Sequence, residues 1–364
     1  MADFRERGRR VCESIGDAEA FVAVNLDDSD GSSLRYLSGF TGEGAIVVTS
    51  DGVVLLTDSR YTEQARLEAS CDEIVELRRW YTAGLAERLK EDGHRRVAFA
   101  SSRVSHHWVE TVGAAFDGDL VALRDPLAAQ RAIKDQEEID ALRTAAAIAD
   151  RAFAVVVEEL RAGMNEVDIA LRLELLIRES EADGVAFGIN VSSGPNTALN
   201  HYLPTLGRRT LAEGDLVLFD FGACAAGYRS DMTRTVCVGT ADTRAKEIYG
   251  IVLEAQRIGI EGTRAGADGV DVDRVVRETI AAAGYGDRFG HGLGHGIGLD
   301  IHEKPALSQQ SEDRLEPGMV VTVEPGIYIP GYGGVRIEDD VLVTADGNEV
   351  LTDFPKDELI EVGS

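Results

Sequence analysis

The feature that most constrains this chain is a set of acidic side chains inside segments that otherwise have the composition of buried strands. Asp220 lies in LVLFDFGA, Glu324 follows the apolar run MVVTV, and Glu338 lies in VRIEDDVLVT. Burying an isolated carboxylate costs several kcal/mol unless a cation or hydrogen bonds replace its lost hydration. The fold is therefore expected to bring these side chains to a shared cation.

Two further residues, an aspartate and a histidine, extend this set of candidate metal ligands. Asp231 lies in YRSDMTRTVCV and His295 in HGLGHGIGLDIHE. The segments around Asp220 and Asp231 flank the short turn CAAG, which predicts an antiparallel hairpin with the two carboxylates facing each other. Opposite side chains in such a pair have Cβ atoms about 5 Å apart, which suits two carboxylates that share ions. We therefore predict a paired-metal site formed by Asp220, Asp231, His295, Glu324 and Glu338.

Histidines cluster beside these carboxylates. His291, His295 and His302 occur in one glycine-rich segment, and His201 lies in the turn-rich SSGPNTALNHYLPT. His291 and His295 stand four residues apart, but no Glu follows either one as in the helical HExxH motif. The alternating glycines favour a loop or irregular strand whose backbone comes close to a ligand. We expect these histidines to be ligands or catalytic groups.

Arg336 precedes Glu338 by two residues in a predicted strand. Side chains alternate along a strand, so these two are expected to share one face. Arg336 would then orient the carboxylate of Glu338. An ordinary surface Arg–Glu pair is the alternative interpretation.

The local patterns divide the chain into two domains. Its 364 residues suffice for about two domains of ordinary size. AFVAVN, GAIVVTSDGVVLLTD and RRVAFA read as strands, while YTEQARLEA and TAGLAERLKED have helical character. Asp135, with Glu138 three residues on, predicts a capping box at the start of a long helix. We place the boundary at 128/129, giving domains 1–128 and 129–364.

Composition excludes several classes of partner. A net charge of −27 repels nucleic acid and anionic membranes. No segment approaches the roughly 18 apolar residues of a membrane span, and the polar start lacks a signal-peptide core. The four cysteines match no zinc motif, although a Cys224–Cys237 bridge is left open. We expect a cytoplasmic protein, with adaptation to high salt as one explanation of its acidity.

Taken together, these motifs resemble a known family. The order Asp, Asp, His, Glu, Glu, with GHGIGLDIHE, VEPGIY and VRIEDDVLVT, resembles the pita-bread metallopeptidases, which include aminopeptidase P, prolidase and methionine aminopeptidase. LRYLSGFTGEGAIVV and TDSRYTEQA resemble the creatinase-like domain that precedes the catalytic domain in aminopeptidase P and prolidase. The implied fold is an α/β creatinase-like domain followed by an α+β pita-bread domain with a curved antiparallel sheet.

The resemblance also implies roles for the metal-ligand residues. Asp220 would bind one metal ion, Asp231 and Glu338 would bridge both, and His295 and Glu324 would complete the second. Mostly oxygen ligands with one imidazole suit two divalent ions, for which manganese is expected and cobalt, zinc and iron are left open. Full retention of the five residues argues against a metal-free amidinohydrolase like creatinase and against a non-catalytic peptide-binding module.

The expected reaction is hydrolysis of an N-terminal Xaa-Pro bond, with aminopeptidase and dipeptidase specificity left open. The substrates would be short peptides with proline at the second position, and the resemblance implies a homodimer. His302 looks like the proton-shuttling histidine of the family, and His201 and His291 look like substrate-side histidines. The expected catalytic set is His201, His291, His302, Glu324 and Arg336.

Overall fold

The protein forms two compact units in a computed structural model that describes residues 3–26, 29–78, 80–202 and 204–363. The first unit ends at Arg131 and the second begins at Ala132. The structural boundary therefore falls three residues beyond the position 128/129 that we chose from the sequence.

The first unit contains a six-stranded sheet in the order β4-β3-β2-β1-β5-β6. The β1–β2 and β2–β3 pairs are antiparallel, and the other pairs are parallel. The predicted turn at Ser50 and Asp51 joins β2 to β3. The strands are β1 (Ala20–Asn25), β2 (Gly44–Thr49), β3 (Gly52–Thr57), β4 (Glu73–Glu76), β5 (Arg96–Ala100) and β6 (Asp119–Leu123).

Helices accompany this sheet, as the sequence predicted for an α/β domain. Trp108 and Val112 of α5 and Leu85 of α4 pack in one buried cluster with Val22 of β1 and Phe99 of β5. The helices are α1 (Phe4–Ser14), α2 (Gly31–Ser38), α3 (Thr62–Glu68), α4 (Tyr81–Glu91), α5 (His106–Ala115) and, at the junction of the units, α6 (Ala128–Ala132).

The second unit begins with the predicted capped helix. The Asp135 carboxylate accepts a hydrogen bond from the Glu138 amide (3.0 Å), and the Glu138 carboxylate accepts one from the Asp135 amide (2.8 Å). Gly163 predicts from the sequence that the helix stops near that residue. The helix instead ends at Glu159, because Leu160 is extended and the Gly163 amide donates to the Leu211 carbonyl. The helices are α7 (Gln136–Glu159), α8 (Glu166–Arg178), α9 (Pro204–Gly207), α10 (Thr243–Gly262) and α11 (Gly269–Ala282).

Strands of the second unit form several sheets, with orders β11-β10-β7, β20-β12-β9-β8, β14-β13-β15-β18-β19 and β16-β17. Within the resolved ranges the named strands pair in antiparallel fashion, except β12 with β20. The strands are β7 (Gly184–Val185), β8 (Asn190–Ser193), β9 (Leu216–Phe221), β10 (Ala223–Ala225), β11 (Tyr228–Arg229), β12 (Met232–Val238), β13 (Gly294–Gly296), β14 (Glu303–Leu307), β15 (Val320–Val323), β16 (Gly326–Ile329), β17 (Gly333–Arg336), β18 (Asp339–Val343), β19 (Asn348–Val350) and β20 (Glu361–Val362).

Two apolar clusters hold these strands in place. Phe153 of α7 packs its ring 4.9 Å from that of Phe219 and 5.1 Å from that of Phe221, both on β9. A second cluster joins α10 and α11 to β15 and β18, with Val323 and Val341 fully buried. Burial of each such side chain contributes roughly 1.5–3 kcal/mol. These cores fix β9, β12, β15 and β18, the strands that carry or border the acidic residues.

Two expectations from composition concern membranes and disulfides. Among the helices of the described ranges, none is both long and apolar enough to cross a bilayer. All four cysteines are free thiols. The bridge left open between Cys224 of β10 and Cys237 of β12 does not form.

Candidate metal centre

A cavity of about 370 Å³ in the second unit collects the side chains that the sequence singled out. Phe187, Asn200 and Ile301 also line it, although no sequence pattern marked them. The predicted residues at this cavity are His201, Asp220, Asp231, His291, His295, His302, Glu324, Arg336 and Glu338. Residues far apart in the chain therefore converge on one concave site.

The predicted hairpin between Asp220 and Asp231 exists, but its register differs from our prediction. β9 pairs with β12, and Thr233, not Asp231, lies opposite Asp220. Asp231 precedes β12 and is displaced by two positions, so the prediction that it directly faces Asp220 is wrong. The backbone is very close at Gly222, where a Cβ would lie 1.8 Å from the Ser230 carbonyl oxygen. Beyond this point the hairpin continues as the separate strand pair β10–β11.

Thr233 holds Glu338 in place. Its hydroxyl donates a 2.5 Å hydrogen bond to Glu338 Oε2, and its carbonyl accepts one from the Glu338 amide (3.1 Å). Arg336 Nε donates to the same hydroxyl (2.8 Å). Sequence reasoning missed Thr233, although its position two residues after Asp231 in a strand was a usable signal.

The glycines around His295 allow β13 to fit between its neighbouring strands. A Cβ on Gly294 would lie 1.9 Å from the Thr322 carbonyl oxygen of β15, and one on Gly296 would lie 2.2 Å from the Lys304 carbonyl oxygen of β14. The pairing with β14 has an irregularity between His295 and Gly296. The close approach that we predicted toward a ligand is thus, at these two glycines, an approach toward adjacent backbone.

The atoms around His295 have the arrangement of ligands to a cation. His295 Nε2 lies 3.7 Å from Asp231 Oδ2 and 3.6 Å from Glu324 Oε1. Ligand atoms of Asp231, His295 and Glu338 all lie within 4.8 Å of one another. Metal bonds of about 2.0–2.2 Å place two ligand atoms up to about 4 Å apart.

One buried oxygen gives an independent test of this fit. Asp231 is 6% exposed, and its Oδ1 has no hydrogen-bond partner in the described part of the chain. Its backbone amide donates to Asp340 Oδ2 (3.0 Å), which fixes the residue without satisfying that oxygen. A buried unpaired carboxylate oxygen is costly. The donor set therefore fits a bound cation.

The pKa values of the carboxylates at the cavity also favour a bound cation. Burial raises the pKa of Asp231 and of Glu338 well above the ordinary range, and neighbouring carboxylates raise both further. Burial also raises the pKa of Asp220, and it raises that of Glu324 to about 8. Without a cation the site disfavours its own ionised carboxylates, because buried like charges repel. A cation would reverse this preference.

Burial favours the neutral forms of three histidines at the site, His291, His295 and His302. Burial lowers the pKa of His291 and of His295 to about 4. Desolvation at the cavity also lowers the pKa of His302, whose ring centroid lies 4.4 Å from that of His295. Neutral imidazole is the form that binds metals or accepts a proton. His291 Nε2 lies 2.9 Å from the hydroxyl of Tyr328, a cavity neighbour that sequence reasoning missed.

Arg336 is buried, with 4% of its surface exposed, and it orients a different carboxylate from the one predicted. Its Nη2 donates to Asp220 Oδ2 (2.5 Å), and its Nε lies 4.0 Å from Glu324 Oε2. β17 ends at Arg336, so Glu338 lies beyond the strand and the predicted shared face does not continue. Arg336 Nη1 also donates to the Tyr328 hydroxyl (3.1 Å).

His201 is exposed at the cavity, and a buried carboxylate anchors the loop that carries it. Glu166, the first residue of α8, is fully buried. It accepts hydrogen bonds from the Tyr202 hydroxyl (2.7 Å), the Ser193 amide (2.7 Å) and Asn196 Nδ2 (3.2 Å). An acidic residue in the first turn of a helix is common, because it stabilises the helix N-terminus, so no sequence pattern indicated this role.

Two known families match the chain. Residues 140–345 match metallopeptidase family M24, and residues 22–133 match the creatinase/prolidase N-terminal domain. Between them, the two matches span both structural units. They confirm the predicted order of a creatinase-like domain followed by a pita-bread domain.

Relatives named as Xaa-Pro peptidases match almost the whole chain. The Xaa-Pro dipeptidase of Pyrococcus horikoshii is 36% identical over 356 residues, which are 97% of this chain and 98% of that protein. The crystal structure of the X-Pro aminopeptidase of Thermotoga maritima MSB8 has a TM-score of 0.89 and 38% identity, covering 97% of this chain and 100% of that one. The Xaa-Pro dipeptidase structure from Bacillus anthracis has a TM-score of 0.92 and 40% identity, covering 99% of both.

Proposed function

The chain belongs to metallopeptidase family M24, and on that premise we propose that it hydrolyses peptides at an N-terminal Xaa-Pro bond. One observation carries the proposal: four carboxylates and His295 surround a single cavity, where Asp231 keeps a buried oxygen with no partner in the described ranges. Relatives named as Xaa-Pro dipeptidase and as X-Pro aminopeptidase support the substrate class.

We propose that the cavity holds two divalent cations. Asp220 would bind one ion, His295 and Glu324 the other, and Asp231 and Glu338 would be shared. The mostly oxygen donor set favours manganese over a thiolate-preferring ion, with cobalt, zinc and iron as the other candidates. When bound, such ions activate water as a nucleophile and polarise the scissile carbonyl.

The surrounding side chains supply the proton chemistry and the orientation. His302, at the cavity and neutral, would donate a hydrogen bond to the oxyanion that develops on the carbonyl oxygen. Glu324, whose carboxylate accepts from the Thr322 hydroxyl (3.3 Å), would relay a proton to the leaving proline nitrogen. Arg336 would keep Asp220 in a fixed orientation through its 2.5 Å hydrogen bond.

The acidic cavity also suits the free end of the peptide. Its carboxylates attract a substrate α-ammonium group, while His201 and His291 line the cavity and would contact the peptide backbone. Each of the two specificities, aminopeptidase and dipeptidase, is represented among relatives of comparable similarity. We further propose that the enzyme is a cytoplasmic homodimer, which light scattering after size exclusion would test for the oligomeric state.

A paired-substrate assay tests the function. Protein dialysed against chelator and reloaded with Mn²⁺ is incubated with Xaa-Pro, with Xaa-Pro-Yaa-Yaa and with Xaa-Ala-Yaa-Yaa as the control peptide. We expect cleavage of one or both proline peptides and none of the control. Cleavage of the dipeptide alone assigns a dipeptidase, and release of Xaa from the longer peptide assigns an aminopeptidase.

Two outcomes would overturn the proposal. Mn²⁺ binding without hydrolysis of any proline peptide would indicate a peptide-binding module. Hydrolysis that survives exhaustive chelation would indicate a metal-free hydrolase of the creatinase type.

A further inference from the structure

A buried ion pair contacts the backbone of Glu338. Arg234 on β12 is 2% exposed and Asp339 on β18 is fully buried, and Arg234 Nη2 donates to Asp339 Oδ1 at 2.7 Å. Neither residue lines the cavity. An ion pair removed from water gains little net stability compared with apolar packing, so its presence beside a site calls for a further reason.

Arg234 binds the backbone of Glu338, which lines the cavity, and of Thr233, which binds the Glu338 carboxylate. Its Nη1 donates to the Glu338 carbonyl (2.5 Å) and to the Thr233 carbonyl (3.0 Å). Thr233 in turn donates its hydroxyl to the Glu338 carboxylate. The Arg234 guanidinium thus binds the main chain of Glu338, while the Thr233 hydroxyl binds its carboxylate.

The same ion pair reaches the segment that follows β19. Arg234 Nη2 and Nε donate to the Phe354 carbonyl (2.9 and 3.2 Å). Asp339 accepts hydrogen bonds from the Thr352 hydroxyl (2.7 Å) and from Lys356 Nζ. We call residues 352–356 the C-terminal strap. Its residues are not among those that line the cavity.

Two helices also contact the ion pair and the C-terminal strap. Gln256 Nε2 of α10 donates to Asp339 Oδ2 (2.6 Å). The Asp150 carboxylate of α7 accepts from the amides of Asp353 (2.8 Å) and Phe354 (3.1 Å). Helices from both apolar clusters are therefore connected to the backbone of Glu338 through the strap and the ion pair.

We propose that Arg234 and Asp339 are positioning residues that fix Glu338 for metal binding, and that the C-terminal strap completes this support. The inference rests on the proposed function, since it takes Glu338 as a metal ligand. Glu338 lies between β17 and β18, outside both strands. Groups behind a ligand matter because they fix its orientation, and their loss typically weakens metal affinity or activity about 10- to 100-fold.

The test compares Asp339→Asn with the wild type by calorimetric titration of the chelated protein with Mn²⁺. The substitution keeps the shape of the side chain but removes the charge that faces Arg234 and Lys356. We expect Mn²⁺ affinity to fall about 10- to 100-fold. At limiting Mn²⁺, kcat for an Xaa-Pro peptide should fall while KM is unchanged, because the substrate side of the cavity is untouched. Excess Mn²⁺ should restore much of kcat, which a general loss of folding would not allow.

A matched control lies in the same part of the chain. Arg257 and Asp357 form an exposed ion pair (2.8 Å) just after the strap. Arg257→Gln should leave Mn²⁺ affinity and kcat unchanged. Lys356→Met should weaken Mn²⁺ binding less than Asp339→Asn does, since Arg234 still faces Asp339.

The outcomes separate this inference from the proposed function. If Asp339→Asn is folded by circular dichroism and binds Mn²⁺ like the wild type, the positioning role is wrong. If that variant does not fold, Lys356→Met and Thr352→Val decide, and wild-type affinity in both overturns the inference. If the wild type binds Mn²⁺ more tightly than Asp339→Asn but cleaves no proline peptide, the positioning role stands and the proposed function fails.

Discussion

Removing metal should reverse how the stability of this protein depends on pH. The perturbation is exhaustive chelation, which leaves buried carboxylates around the cavity without a cation. Burial raises the pKa of Glu324 from 4.5 to about 8. A group whose pKa is raised by folding contributes stability below its unfolded pKa, and that contribution is lost as the pH rises through the folded pKa. Glu324 should therefore stabilise the chelated protein at acid pH and lose that contribution by about pH 8.

The magnitude of the Glu324 contribution follows from the interval above pH 6.5, where the histidines no longer oppose it. Between pH 6.5 and 8 the unfolded chain has ionised Glu324 and the folded chain has not, so stability falls by about 1.4 kcal/mol per pH unit. Glu324 therefore accounts for about 2 kcal/mol over this interval. Asp231, Glu338 and Asp340, whose pKa values burial also raises, add losses of the same sign.

The histidines set the lower limit of that interval. Burial lowers the pKa of His291 and His295 from 6.5 to about 4. Lowered histidine pKa values cause the opposite trend, because the unfolded chain binds more protons between pH 4 and 6.5. Between pH 4 and 6.5 the histidines therefore offset part of the loss that the carboxylates cause, and above pH 6.5 the carboxylates lower the stability of the chelated protein without this offset.

Bound Mn²⁺ should reverse the fall in stability above pH 6.5. Metal ligation requires deprotonated carboxylates, so Mn²⁺ binds more tightly as the pH rises. Binding to the folded state alone stabilises it in proportion to the logarithm of ligand concentration over Kd. At fixed excess Mn²⁺, the free energy of unfolding should increase from pH 6.5 to 8.

Urea unfolding at several pH values, with chelator or with Mn²⁺, measures both curves. Glu324→Gln should remove about 2 kcal/mol of the decline in the chelated protein, and Glu254→Gln on the exposed face of α10 should leave the curve unchanged. A chelated protein that holds or gains stability from pH 6.5 to 8 would refute the reasoning.

Three further predictions concern single residues. Asp231→Ala should abolish both Mn²⁺ binding and turnover, and wild-type turnover in this variant, measured beside metal content, would disprove its bridging role. Arg336→Lys keeps the charge but loses the planar fork that reaches Asp220, Thr233 and Tyr328 together; we expect kcat/KM to drop about 10- to 100-fold, and an unchanged value would contradict the orienting role. Glu166→Gln should raise KM more than it lowers kcat, because Glu166 anchors the loop of His201 and not the metal ligands; equal effects on both in steady-state assays would exclude this explanation.

Local structure was largely predictable from local sequence. Asp135 and Glu138 predicted a capping box correctly, because both of its hydrogen bonds lie within one helical turn. The turn between β2 and β3 was equally clear, because Ser-Asp-Gly separates two apolar runs. The end of α7 was not predictable, because a distant partner, the Leu211 carbonyl, binds the Gly163 amide.

The chemistry of the site was also visible in the chain, but its geometry was not. Carboxylates in apolar strands marked Asp220, Asp231 and Glu338, since burial of charge needs compensation whatever the fold. The two-residue displacement of Asp231 and the pairing of Arg336 with Asp220 depend on strand register and on where β17 ends. No local pattern encodes either.

Sequence alone determined which side chains this protein cannot bury without a cation, because the energetic cost of a buried charge belongs to the residue itself. Tertiary structure decided which neighbour compensates each of them. Thr233, Tyr328 and the Arg234–Asp339 pair support the site through contacts across strands and with the C-terminal strap. Such contacts join residues distant in the chain, so they arise only when packing has fixed the register of the sheets.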